Sequence, residues 1–218
     1  RLVLELPEGE APLWRYWGPR LNPQAAAPHG LRDSRPLPSF MLDFDQPLTL
    51  APSFGVGWFG QSALLAHRGG QALAQAFNQC EVHSDGLPHD SQKVLVVLTD
   101  TVAQIELTVH LHLDADSDVL VMRSNLRNLA DTVLDVQWLA AGTLLLPGKA
   151  VSVRSYAGQH NHEFLQQTDP LSRSLWRRES RRGRTSHDCF PGAVVATAGT
   201  TDDAGLVYGA HLAWSGNH

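Results

Sequence analysis

From Ile105 to Leu113 apolar and polar residues alternate without a break. Ile105, Leu107, Val109, Leu111 and Leu113 fall on one side, and Glu106, Thr108, His110 and His112 on the other. A period of two is that of a β-strand with one buried and one wet face, the habit of antiparallel sheets. The run Asp114 to Asp118 supplies turn chemistry, and Val119 to Asn125 reads as the returning strand of a hairpin. Further strands are predicted at Leu2 to Leu6, Leu13 to Trp17, Ser62 to His67, Gln79 to Ser84, Val94 to Leu98 and Thr132 to Leu146. More follow at Val151 to Tyr156, Leu175 to Glu179, Val194 to Ala198 and Leu206 to Trp214. Clusters such as Asp85-Gly86-Leu87-Pro88 and Thr201-Asp202-Asp203-Ala204-Gly205 separate them. Many short strands with regular turns predict an all-β fold, a large antiparallel β-sandwich with little helix. Gln71 to Phe77 fits a turn or two of helix, or equally a loop.

One stretch breaks the pattern. Seven of the 13 prolines lie between Gly18 and Pro52, and proline removes a ladder donor. This region reads as an irregular excursion with Phe40 to Asp45 as its one plausible strand. Long loops on rigid sheets often carry binding roles. A loop packed for stability is the plainer reading.

Composition narrows the function classes without naming one. The 218 residues carry 17 basic and 22 acidic side chains, a net charge of -5, too mild to argue for a polyanionic partner. Cys80 and Cys189 make no disulfide framework and are read as reduced. The chain has no apolar run long enough for a membrane helix and no leader-like amino end, so a cytoplasmic location is expected.

Asp114, Asp116 and Asp118 have the spacing of calcium-loop ligands, but Val119 stands where glycine is needed and Asn125 where glutamate is. His162-Glu163 opens a zinc-protease pattern whose second histidine position is Gln166. His110 and His112 share a strand face with no third ligand in sight. No metal and no cofactor are expected. Arg177, Arg178, Arg181, Arg182 and Arg184 form a basic run interrupted by Glu179, which reads as ion pairing or a subunit contact in preference to nucleic-acid binding.

The carboxyl end is more particular. Arg182-Gly183-Arg184-Thr185-Ser186-His187, Gly205-Leu206-Val207-Tyr208-Gly209 and Trp214-Ser215-Gly216-Asn217 resemble the R-G-x-x-S-H, G-x-V-Y-G and Y-S-G-N segments of one family. That family is the bacterial α-galactosidases of glycoside hydrolase family 36, and the segments close its N-terminal β-domain. Tyr16-Trp17-Gly18-Pro19-Arg20-Leu21 is similar to a strand exit of that domain. Pro52 to Phe59 resembles its P-x-x-G-x-x-D-F-R turn, and Asp118 to Asn128 its N-V-I-x-R-S-x-x-x-N hairpin. Tyr208 and Trp214 are expected on one strand facing the same side. This chain departs from the pattern with Trp58 in place of the motif aspartate and Gly60 in place of the arginine. Asp188-Cys189-Phe190-Pro191-Gly192 replaces the usual Q-x-N-P-F.

The resemblance implies a β-supersandwich, residues 1–218, cut near its C-terminal end and lacking the catalytic barrel of its parent. Retaining glycosidases need two carboxyl groups about 5 Å apart. The family's Lys-Trp-Asp nucleophile motif is missing here, as is the strand–helix alternation of a barrel. No catalytic residue is therefore expected in this chain. The implied partners are the parent chain's barrel, further copies of the protein, and a galactosyl oligosaccharide such as melibiose or raffinose; no nucleic acid or membrane is implied. Where an N-terminal loop borders a neighbouring subunit's sugar pocket, Asp33 and Trp58 are the expected contacts, with an aromatic stacking on sugar where the family has a carboxylate. The alternative from another class is a stand-alone, lectin-like carbohydrate-binding sandwich.

Overall fold

The computed structural model describes residues 1–19, 21, 47–85, 92–146, 149–171, 175–184, 188–214 and 216. It is all-β, with every strand pair antiparallel; the described helix is one 3-10 turn, Phe54–Val56. The chain forms two compact units, Arg1–Leu145 and Leu146–His218.

Among the described residues the first unit holds nine strands: β1 (Leu2–Glu5), β2 (Leu13–Trp17), β3 (Leu64–Arg68), β4 (Gln71–Ala72), β5 (Gln79–Asp85), β6 (Gln92–Asp100), β7 (Ile105–Leu113), β8 (Leu120–Asn128) and β9 (Asp135–Leu139). They make a β1-β2 ribbon, a β4-β3-β9 sheet and a β5-β6-β7-β8 meander. Burial along β7 follows its sequence alternation, with Ile105, Leu107, Val109 and Leu111 buried and the residues between them half-buried. Those four join Val96 and Leu98 of β6, Leu64 and Ala66 of β3, and Trp14 of β2 in one core. All three sheets thus close on a single apolar interior, as sandwich packing requires.

The meander's turns use carboxylates as backbone acceptors. Asp100, 3% exposed, ends β6; its Oδ1 accepts the N–H groups of Val102 and Ala103 at 2.9 and 2.8 Å, and its Oδ2 that of Ala76 at 2.8 Å. Asp114 Oδ2 accepts the backbone N–H and the hydroxyl of Ser117, closing the β7–β8 turn. That first aspartate of the calcium-like spacing is therefore engaged in building the turn.

The second unit is one sheet of β10 (Ala150–Gln159), β11 (His162–Pro170), β12 (Gly192–Thr197) and β13 (Val207–His211), ordered β11-β10-β12-β13. Its buried apolar residues among those described are Val153, Ala196, Cys189 and Pro191. An unpaired stretch lies along one face. Trp176 donates its indole N–H to Asp169 Oδ2 at 3.0 Å, and Arg178 donates to Ser155 Oγ at 2.6 Å, Gln167 Oε1 at 3.2 Å and the Asp188 carbonyl at 3.2 Å.

Several expectations need correction. Leu175 to Glu179 is not a strand: its alternate side chains reach the sheet, but its backbone joins no ladder. The strand expected over Thr132 to Leu146 contracts to Asp135–Leu139, the stretch that pairs with β3. Gln71 to Phe77 is not helical: Gly69 and Gly70, both at positive φ, turn β3 into the short β4. Strand β11, nine residues exposed on both faces, went unpredicted. Trp214 lies beyond the end of β13, so it does not share that strand with Tyr208. Phe40 to Asp45 falls outside the described residues.

Candidate functional site

The turn from Ser53 to Gln61 holds Trp58, and its shape follows from two glycines. The Gly55 N–H donates to the Gln75 carbonyl at 2.9 Å. A Cβ at Gly55 would stand 2.3 Å from that same oxygen, so only glycine allows the two backbones to meet. Gly57, at φ 83, closes the 3-10 turn with an N–H donated to the Phe54 carbonyl at 3.0 Å. On the far side the buried Ser62 hydroxyl bonds to the carbonyls of Pro52 and Leu64 at 3.2 and 2.9 Å, tying the turn to β3. Gln75 behind it is fully buried, and neither its amide nitrogen nor its amide oxygen has a hydrogen-bond partner among the described residues.

Trp58 is half-buried and its indole N–H is donated to the Gln61 carbonyl at 3.1 Å. The ring lies over Gly60, where a Cβ would come within 2.8 Å of it. The arginine-to-glycine departure at residue 60 thus makes room for the tryptophan that replaces the aspartate. The ring presented outward is its neighbour Phe59, 77% exposed, with Phe54 at 47%. Sequence reasoning passed over Phe59 because it occupies an ordinary family position; its exposure becomes legible only once Trp58 folds back. The turn offers aromatic surface, suited to the apolar face of a sugar ring or to an apolar partner. Asp33 lies outside the described residues.

The remaining chemical signals resolve into structure. Glu179 accepts from Arg177 Nη2 at 2.6 Å and from Arg181, while Arg182 pairs with Asp188 at 3.0 Å. With Arg178 held on the sheet, four members of the basic run are engaged within the unit. His110 Nε2 lies 3.1 Å from the Asn125 side-chain nitrogen on β8, and His112 sits between Lys93 and Val121 in register. No three histidine, cysteine or acidic side chains converge among the described residues. Neither Cys80 nor Cys189 is in a disulfide. Burial, assisted by the Glu81 charge, pushes the Cys80 thiol above its ordinary range. No described helix is long and apolar enough to cross a membrane.

A strand-dominated sandwich whose turns and carboxyl end carry these motifs defines the β-domain class found at the amino end of large glycoside hydrolases. The chain belongs to glycoside hydrolase family 36: it matches the Glycosyl hydrolase family 36 N-terminal domain over residues 10–218. It is 33% identical over 184 residues to an Escherichia coli α-galactosidase, covering 84% of this chain and 25% of that protein. It is 27% identical over 179 residues to the bifunctional α-galactosidase/sucrose kinase of Mediterraneibacter gnavus, covering 76% and 19%. Among solved structures, an α-galactosidase from Lactobacillus brevis superposes with a TM-score of 0.82 at 22% identity, over 99% of this chain and 32% of that one. A Geobacillus stearothermophilus α-galactosidase in complex with raffinose gives 0.79 at 19% identity, over 99% and 33%. The chain spans a quarter or less of the length of these curated relatives.

Proposed function

We propose that this chain is the non-catalytic N-terminal domain of a cytoplasmic α-galactosidase that releases terminal α-linked galactose from oligosaccharides such as melibiose or raffinose. The carrying observation is the match to a named N-terminal domain along nearly the whole chain, in relatives three or more times as long. In this reading the parent's barrel supplies two aspartates for a double displacement, with no metal or organic cofactor. The β-domain braces the barrel, supports a homo-oligomer, and lends the Asp33 loop and the Trp58 turn to the rim of a sugar pocket. With the Trp58 N–H already engaged, that turn acts by stacking, and Phe59 is the ring best placed to do it.

The test compares purified residues 1–218 with the full-length parent on a nitrophenyl α-galactoside. Only the parent should turn over. Constant specific activity of the short chain through successive purification steps would sink the proposal. Millimolar or tighter galactoside binding by the short chain alone would favour a lectin-like module instead.

A further inference from the structure

The sheet of the second unit has one face tied to its own chain by polar bonds and another on which large apolar side chains stay exposed. Trp176 and Arg178 bond to Asp169, Ser155 and Gln167 on the first face. The other carries a ring cluster. Tyr156 of β10 lies 6.1 Å from Phe164 and 6.3 Å from Phe190; Phe164 and Phe190 are 5.4 Å apart, and Phe190 is 5.4 Å from His211 of β13. Register puts Val207 on the same side, through Ala196 and Ser152.

This cluster is built, and it costs backbone strain. Ala157 pairs with Leu165 and Gln159 with His162, so Glu163 and Phe164 together oppose the single residue Gly158. That bulge turns Phe164 toward the other rings at φ 53, a conformation that bulky residues avoid. Glu163 Oε1 accepts the Asn161 N–H at 3.0 Å and fixes the hairpin tip. Gly192 leaves the space that Phe190 occupies, since a Cβ there would meet that ring at 2.7 Å. Yet Phe164 is 60% exposed and Val207 50%. A four-stranded sheet with so few buried apolar residues and a part-exposed aromatic face needs a second layer.

We propose that the Tyr156, Phe164, Phe190 and Val207 face is the seat on which the remainder of the parent chain packs. This rests on the reading of the chain as one domain of a longer enzyme. The matched region is an N-terminal domain, and two thirds or more of each relative lies outside it. The face suits a permanent apolar contact: its one guanidinium, Arg154, already pairs with Asp202 at 3.7 Å. A second copy of the protein is the competing occupant.

Hydroxyl-radical footprinting of the intact parent enzyme, read by mass spectrometry at Phe164 and Tyr156, tests the assignment. Both rings should be oxidised about tenfold more slowly than the free amino acids, as in a packed interface core, at every protein concentration. Phe164→Ser should raise labelling of Tyr156 and Phe190 without altering that of the first unit. Labelling of Phe164 within about twofold of free phenylalanine would overturn the proposal, and so would protection that vanishes on dilution to monomers, which assigns the face to a second copy. The underlying reading fails separately: an intact mass near 23.8 kDa for the natural gene product would remove the parent enzyme itself.

Discussion

The two units are built from the same kind of strand and differ in what they bury. In Arg1–Leu145 fourteen of the described apolar residues form one core shared by three sheets; in Leu146–His218 the buried apolar residues among those described are Val153, Ala196, Cys189 and Pro191. The first therefore supplies its own opposite layer. The second is held by polar links such as Arg178 to Ser155, which fix geometry but contribute modestly to net stability. Pleated sheets make a domain only when each apolar face meets another.

Leu107→Ala should break that contrast most severely. The residue is 1% exposed on β7, and its loss should destabilise the first unit by about 2–5 kcal/mol, seen as a lower urea midpoint; a shift in only the second unit's transition would refute the division. Asp100→Ala comes next, leaving three backbone N–H groups without their acceptor. A loss of about 1–3 kcal/mol is expected, with faster amide exchange at Val102 and Ala103; unchanged exchange there would count against the turn's dependence on the carboxylate. Val153→Ala should cost about 1–2 kcal/mol and act on the second unit alone. A response in both transitions would show the units to unfold as one.

The smallest effect is chemical. Because burial and Glu81 raise the Cys80 pKa, its thiolate appears at higher pH than usual, and the alkylation rate should keep climbing past pH 9.0. A plateau below that pH would contradict the partly buried setting of Cys80 on β5.

The same contrast decides how much was legible. Strands β2 and β7 fall at the boundaries their sequences predict, Leu13–Trp17 and Ile105–Leu113; in β7 this is because alternate residues enter the core while those between them stay half-buried. Strand β11, His-Glu-Phe-Leu-Gln-Gln-Thr-Asp-Pro, is exposed on both faces and so has no alternation to read. Leu175 to Glu179 misleads in the opposite sense. Its side chains do alternate onto a sheet, but periodicity reports where side chains point and says nothing of whether the backbone is paired. At the candidate site, the motif letters located the turn at Trp58. They could not show that the indole folds over Gly60 and leaves Phe59 outermost, since that depends on one hydrogen bond to Gln61.

The hairpin between β3 and β4 ends in Gly69 and Gly70, with no other atom within 4 Å of where either side chain would begin. Such an uncrowded loop tip tolerates lengthening. A short reporter peptide spliced between the two glycines would therefore give a fluorescent handle on the first unit, and so a way to watch it melt separately from its neighbour.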